Sequence, residues 1–320
     1  MEEKKQQMGQ AVGRMAPSPT GRMHPGNVLS FLLAWLSVRS QKGRMILRLE
    51  DLDPQRSRLE YCRQLEDDLR WLGLDWEEGG LEDRPDYRQS NCGALYRQAL
   101  EILEEKGLLY PCFCSRDELH AASAPHRSDG TVLYPGSCRG LSAEERRQRM
   151  ALRSPSLRIR VPEETIEFTD RHYGLYRENL AEECGDFILR RSDGVCAYQL
   201  AVVVDDERMG VTEIVRGCDL LDSTPRQIWL RQQLNYSQPE YAHVPLLVAA
   251  DGRRLSKRDR DMDLGRLRSL YRPEELLGSL ACAAGLLDRY EPVSAKELIP
   301  LFAWEKIKKE NFVLTLPPAE

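Results

Sequence analysis

No stretch of this 320-residue sequence stays apolar for the roughly 20 residues that a membrane-spanning helix needs; the strongest apolar runs, 200–204 and 244–250, are strand-sized. An excess of positive charge is also missing. Lys and Arg number 46 against 51 Asp and Glu, a formal net charge of −5. That excludes a chain held to nucleic acid by bulk charge, while leaving room for a local basic surface. The low hydrophobicity of a disordered chain is absent too, since hydrophobic residues make up 41%. No internal repeat and no low-complexity tract appear. The first ten residues are polar and mixed in charge and carry neither a secretory nor a mitochondrial address, so a cytoplasmic protein is expected. What remains is a globular composition of about two domains' length.

Nine cysteines agree with a reducing compartment. Cys62, Cys92, Cys184, Cys196, Cys218 and Cys282 stand alone and read as core thiols. Cys112, Cys114 and Cys138 cluster.

Along the chain, 14–16 reads as the end of a strand, and Pro17-Ser18-Pro19-Thr20-Gly21 must then be a loop, because two prolines remove ladder donors. Residues 28–40, rich in Leu, Phe, Trp and Val, read as a buried helix with Pro25 in its first turn. Gly43 stops it. Residues 44–49 read as a strand, and Asp53-Pro54 as the cap and first position of another helix. Strand, helix and strand over some forty residues make a βαβ unit and predict a parallel sheet. A second long helix is expected over 87–106. From 109 to about 165 the pattern breaks up around Cys, Pro, Ser and Gly, with a basic helix at 143–150, which reads as an insertion. Strands are expected again at 195–197 and 200–204, then helices at 223–234, 273–287 and 294–307.

Two segments carry candidate chemistry. The first is the loop-helix join 17–27, where glycine admits a ligand to the backbone, a helix N-terminus favours an anion, and His24 can donate to a phosphate. A plain Pro/Gly turn is the bland alternative. The second is Gly252-Arg253-Arg254-Leu255-Ser256-Lys257-Arg258, which suits clamping a pyrophosphate, or is a solvated basic loop.

Taken in order on a βαβ unit, these motifs resemble those of the class I aminoacyl-tRNA synthetases of the glutamyl group. Arg14 to Gly21 is similar to that group's opening strand and loop, and His24-Pro25-Gly26-Asn27 to its His-x-Gly-His signature. Leu47-Arg48-Leu49-Glu50-Asp51-Leu52-Asp53 and Arg254-Leu255-Ser256-Lys257-Arg258 match its following strand and its lysine loop. Asn27 departs from the second signature histidine; an amide still hydrogen-bonds but carries no charge. The resemblance implies an α/β fold with a Rossmann-type parallel sheet. It also implies an inserted acceptor-binding-like α/β subdomain and a C-terminal helical region like the family's stem-contact part. The expected division is 11–108 and 191–245 for the two halves of the catalytic domain, 109–190 for the insertion, and 246–320 for the lysine loop and helical region.

The resemblance further implies that glutamate is activated by attack of its carboxylate on the α-phosphorus of ATP, with Mg²⁺ on the departing pyrophosphate. His24 and Lys257 would be the catalytic pair. Arg14, Ala16 and Ser18 would hold the amino acid, Glu50 its ammonium, and Tyr198 and Arg216 would complete the pocket. An arginine facing a carboxylate separates glutamate from glutamine by charge. Pro17, Thr20, Gly21, Gly26, Asn27 and Ser256 would meet ATP beside His24 and Lys257. For Arg14 and Arg216 the other reading is surface ion pairing; for Tyr198 it is a core tyrosine.

Within the group, the chain resembles the glutamyl-Q branch, which attaches glutamate to the queuosine base of tRNA(Asp). Its length beyond Lys257, Val202 in place of an asparagine, and the stretch 216–227 all point that way. Ser256-Lys257-Arg258-Asp259 instead has the ending common in ordinary glutamyl enzymes. Cys112-x-Cys114 with Tyr134-x-x-x-Cys138 resembles that branch's structural zinc site, one Zn²⁺ per chain with Tyr134 as the fourth ligand. The alternatives are three ordinary thiols, or His120 or His126 as the fourth ligand. Arg146, Arg147, Arg149, Arg153, Arg158 and Arg160 form a basic stretch suited to RNA phosphates, or a solvated surface. The expected partners are L-glutamate and queuosine-bearing tRNA(Asp), with no membrane and the enzyme a monomer. The competing readings are a truncated glutamyl-tRNA synthetase charging a 3′ end and an inactive tRNA-binding paralogue.

Overall fold

The computed structural model describes residues 10–115, 118, 133–248 and 263–318. Val12–Met15 pairs in parallel with Arg44–Leu47, and that strand with Glu78–Gly79. On its other side Val12–Met15 meets Glu213–Gly217, through Thr212 N–H to the Val12 carbonyl at 2.9 Å and the Arg14 guanidinium to the Val215 carbonyl at 3.1 Å. Glu213–Gly217 pairs in parallel with Glu240–Val244. Strand order therefore reverses beside Val12–Met15, and in open α/β sheets a ligand crevice opens beyond the carboxyl ends of the strands at such a reversal.

The strands are buried on both faces, as a parallel sheet covered by helices requires. Met15, Met45 and Leu47 enter one core and Val12 and Ile46 the other. The connecting helix Pro25–Ser40 has Leu29, Leu32, Leu33, Trp35 and Leu36 all buried, and a helix apolar nearly all round is a core helix. It packs so close to the first strand that a Cβ on Gly13 would lie 2.4 Å from Val38 Cγ2.

Several expectations need correction. Residues 200–204 are not a strand but the middle of the helix Tyr198–Arg208. Its Leu200, Ala201, Val202, Val203 and Val204 are buried in the second core, and a short, fully buried apolar run has no period to separate helix from strand. The sheet strand there is Glu213–Gly217 instead. Asp53 does not cap a helix: its carboxylate accepts from Gln55 N–H at 3.1 Å and the Arg56 guanidinium at 2.7 Å, closing a turn, and the helix starts later, at Leu59–Trp71. The helix expected over 87–106 is two 3₁₀ turns followed by Gly93–Glu105. That expected over 294–307 is one turn, Ala295–Leu298, with 3₁₀ turns after it.

Residues 109–190 hold an antiparallel sheet of Leu109–Cys112, Ser156–Ile159 and Phe187–Arg190 and the hairpin Thr165–Asp170 with Gly174–Asn179. The helix Ala143–Leu152 starts at a Ser142–Glu145 capping box and buries no residue. Further on, Pro273–Ala284 is closed by Gly285 at φ 94°, and Leu247–Val248 pairs with Phe312–Val313. Among the described residues no helix is long and apolar enough to cross a membrane.

Candidate active site

His24 is the N-cap of Pro25–Ser40, in extended conformation. Its Nδ1 accepts from Gly26 N–H at 3.1 Å, and the Asn27 side-chain oxygen accepts from His24 N–H at 3.2 Å. The reciprocal cap explains why asparagine serves at the fourth signature position: its amide closes the helix end. With Nδ1 accepting, the proton of the neutral imidazole sits on Nε2, so the ring offers a donor beside the positive end of the helix dipole.

That helix end opens on a cleft of about 490 Å³ at the strand-order reversal. Arg14, Ala16, Pro17, Ser18, Thr20 and Gly21 line it from the first strand and its loop, His24 and Asn27 from the helix, and Glu50, Tyr198 and Arg216 from three further segments. Gly26 is not on the cleft; it lies against the His24 ring, where a Cβ would meet Cε1 at 2.9 Å. Lys257 and Ser256 lie outside the described residues, as do Arg253, Arg254, Arg258 and Arg260. Of the described residues on either side of that segment, Leu246 lines the cleft and Leu264 donates its N–H to the Met23 carbonyl at 2.8 Å.

The cleft wall carries Arg14, Arg22 and Arg216 against Glu50 and Asp219, an arrangement that favours an anionic occupant. Its floor is a buried charge network that sequence reasoning did not assign. Asp206 receives Arg48 at 2.5 Å and Arg14 at 3.4 Å, with Arg231 at 3.7 Å. Burial alone would push the Asp206 carboxyl up, but Arg48, Arg14 and Arg231 together hold it below its ordinary value. Arg48, fully buried, also reaches Glu50 at 3.0 Å, and burial raises the Glu50 carboxyl despite Arg48 and Arg14. Arg14 is drawn down by burial, partly offset by Asp206. Adding an anion in front of it relieves that penalty. No local signal marked this floor: Arg48 and Glu50 lie past the end of the strand Arg44–Leu47, and only tertiary contact brings Asp206 to Arg48.

Arg216 is fixed from behind. Its Nε donates to His243 Nε2 at 3.1 Å and its Nη2 to Thr224 Oγ1 at 2.8 Å. Tyr198 begins the helix Tyr198–Arg208 and lines the cleft while packing on the second core; burial raises its phenol. Val202, one turn on, is wholly core.

A second cluster lies in 109–190. Cys112, Cys114 and Cys138 hold their sulfurs within 4.8 Å of one another. The Tyr134 hydroxyl lies 3.5 Å from Cys112 Sγ and accepts from Cys138 N–H at 2.8 Å. Burial, with the two other thiols beside it, pushes the Cys114 thiol up to about 12. His120 and His126 lie outside the described residues. Of the basic stretch, Arg158 is turned inward: it is buried, stacks on the Tyr134 ring with its guanidinium carbon 3.8 Å from the ring centroid, and donates to the Asp186 carbonyl. It is therefore not a surface cation for RNA. Arg147 and Arg153 pair with Glu144 and Glu118.

A family model described as tRNA synthetases class I (E and Q), catalytic domain, matches residues 10–310. A glutamyl-Q tRNA(Asp) synthetase of Symbiobacterium thermophilum is 50% identical over 305 residues, covering 93% of this chain and 94% of that protein. A glutamate–tRNA ligase 2 of Alkalilimnicola ehrlichii is 46% identical over 275 residues, covering 84% of this chain and 57% of that protein. A glutamate tRNA ligase from Elizabethkingia meningosepticum, solved in complex with its amino acid, shares the fold with a TM-score of 0.81 at 27% identity, over 96% of this chain and 68% of that one.

Proposed function

Because the chain belongs to the class I tRNA synthetases of the glutamate and glutamine group, within the branch of glutamyl-Q tRNA(Asp) synthetases, and is thus a ligase, we propose that it makes glutamyl-adenylate without tRNA and transfers glutamate to the queuosine base of tRNA(Asp). The observation that carries this reading is the shared cleft of Arg14, Glu50 and Arg216 with the His24-capped helix end. Glutamate brings two carboxylates and one ammonium. Arg14 and Arg216 answer the first, Glu50 the second.

In the first step an oxygen of the glutamate α-carboxylate bonds to the α-phosphorus of ATP, and the bond to the departing pyrophosphate breaks. Both reactants are anions, so the work is positioning and neutralisation. His24 Nε2–H and the helix end meet the phosphates as hydrogen-bond donors, with Lys257 as the cation. Mg²⁺, which the family uses with ATP, supplies charge neutralisation on the phosphates. In the second step an acceptor hydroxyl attacks the activated carbonyl and AMP leaves. The queuosine acceptor is supported by the relatives of that name, which match along nearly their whole length.

Labelled glutamate, supplied with ATP, tests the acceptor directly. Label is expected on an anticodon stem-loop of tRNA(Asp) carrying queuosine, which has no 3′ acceptor end, and not on the same stem-loop with guanosine at the wobble position. Label on the 3′ end of tRNA(Glu) alone would replace this reading with 3′ charging.

The thiol cluster fits a structural Zn²⁺. A tetrahedral site with bonds of about 2.3 Å has sulfur–sulfur edges of about 3.8 Å, and Cys114 Sγ lies 3.7 Å from Cys138 Sγ. Cys112, Cys114, Cys138 and the Tyr134 oxygen would hold the ion, which ties together a segment with a small core of its own. Elemental analysis is expected to find one zinc per chain, lost in Cys138→Ser together with protease resistance of 109–190. Undiminished resistance in a zinc-free Cys138→Ser protein would deny the metal its structural role.

A further inference from the structure

The recognition arginine is set by a buried relay that starts in the insertion hairpin. Asp170 ends the strand Thr165–Asp170. Its Oδ1 accepts from His172 N–H at 3.0 Å and Tyr173 N–H at 2.8 Å, which fixes the carboxylate in the hairpin turn. Its Oδ2 takes His243 Nδ1 at 2.6 Å and His243 N–H at 3.0 Å. Both side chains are fully buried.

A carboxylate on Nδ1 assigns the imidazole proton to that nitrogen and leaves Nε2 as an acceptor. Arg216 Nε donates there at 3.1 Å, and the Thr224 hydroxyl, which also reaches the Leu220 carbonyl at 3.3 Å, lies 3.2 Å from the same nitrogen. Thr224 in turn accepts from Arg216 Nη2, so the guanidinium is gripped at two nitrogens from behind, and Nη1 is left for the cleft. Tyr241 stacks on the imidazole, its centroid 6.5 Å away at 11°. It also lies under the Arg216 guanidinium, 5.7 Å off. A fork with five donors otherwise has freedom to turn; here only one orientation satisfies His243 and Thr224 together.

We propose that Asp170 and His243 are positioning residues for glutamate, holding Arg216 toward the substrate carboxylate through the acceptor nitrogen of a neutral imidazole. The inference rests on Arg216 reading that carboxylate. It has a consequence in pH. The groups facing His243 are Asp170 from the hairpin, Arg216 and Thr224 from the catalytic half, Tyr241 on its own strand and the charge of Arg14 behind them. Burial and the two arginines lower the histidine against the pull of Asp170, so it is neutral near pH 7. As pH falls through this lowered value, Nε2 gains a proton that points at the Arg216 Nε–H, and the grip is lost. Glutamate binding then weakens on acidification, at a pH under the ordinary histidine value of about 6.5.

The test is glutamate-dependent ATP–pyrophosphate exchange by the full chain, with KM for glutamate, KM for ATP and kcat measured from pH 5.5 to 8. His243→Leu is expected to raise the glutamate KM roughly 10- to 100-fold, the value of a hydrogen bond to a charged group, and to leave the ATP KM within about 3-fold. His243→Gln, which keeps an acceptor near the Nε2 position, is expected to restore most of the affinity at pH 8 and to remove the wild-type rise in glutamate KM at acid pH. An unmoved glutamate KM in His243→Leu, with Arg216→Ala still raising that KM by orders of magnitude, overturns the relay alone. Exchange by the wild type that is independent of glutamate overturns the reading of the cleft instead. If His243→Leu does not fold, the Gln variant decides: a pH profile of glutamate KM identical to wild type contradicts the inference.

Discussion

Arg216→Ala is expected to lower glutamate-dependent ATP–pyrophosphate exchange by about 10³-fold in kcat/KM, most of it in KM for glutamate. Arg216 is only 6% exposed, and its Nε and Nη2 are already engaged. A carboxylate docking on the remaining nitrogen therefore forms a desolvated, charge-assisted pair. Truncating one partner of such a pair costs about 2–5 kcal/mol, mostly because the other charge stays buried and unpaired. The lost interaction is made in the ground state as well as the transition state, which is why KM moves more than kcat. Arg216→Lys does not rescue, since an ammonium cannot satisfy His243 and Thr224 while also facing the ligand. Titration calorimetry with glutamate checks the binding part; unchanged affinity would remove Arg216 from the pocket.

The largest stability effect is expected for Asp206→Ala, about 3–5 kcal/mol by chemical denaturation at pH 7. Asp206 is the carboxylate on which Arg14, Arg48 and Arg231 converge, and all four residues are at most 5% exposed. Removing it leaves three guanidiniums buried together, with Glu50 on Arg48 and the half-buried Glu207 on Arg231 as carboxylate partners. The loss is larger than that of the pair alone because the arginines then repel one another. The pH dependence has a fixed sign. The Asp206 carboxyl is lowered in the fold, so its contribution is fully present above the unfolded value near 3.9 and fades as pH falls through the lower folded value. The difference between wild type and Asp206→Ala should therefore be constant from pH 5 to 7 and shrink below pH ~4. A difference that grows on acidification would contradict the network.

Local signals in the sequence reached far into this architecture. Proline in the first turn, a run of large apolar residues and a stopping glycine mark Pro25–Ser40, and the helix is there. The parallel pairing of the strands around it follows from the short crossover. The motif residues Arg14, Ser18, His24, Glu50 and Arg216, spread over two hundred positions, line one cleft. What stayed hidden is what only tertiary contact creates. Asp206 stands 192 residues from Arg14 and 158 from Arg48, and nothing local to any of them announces the pairing. The same holds for Asp170 and His243, 73 residues apart. Leu200–Val204 misleads because burial on every side erases periodicity, and its β-branched residues favour a strand wherever packing does not decide. The basic stretch misleads at Arg158, where strand alternation turns one guanidinium onto an aromatic ring while its neighbours stay outside.

Of the three guanidiniums and two carboxylates on the cleft wall, Arg14, Arg216 and Glu50 are proposed to select an amino acid with an acidic side chain, and the histidine-capped helix end to receive its ATP. ATP–pyrophosphate exchange in the absence of any RNA measures both at once. L-glutamate is expected to support exchange at rates at least ~10²-fold above L-glutamine, whose amide leaves a guanidinium unpaired. Equal exchange with both amino acids, or none with glutamate, would contradict the account.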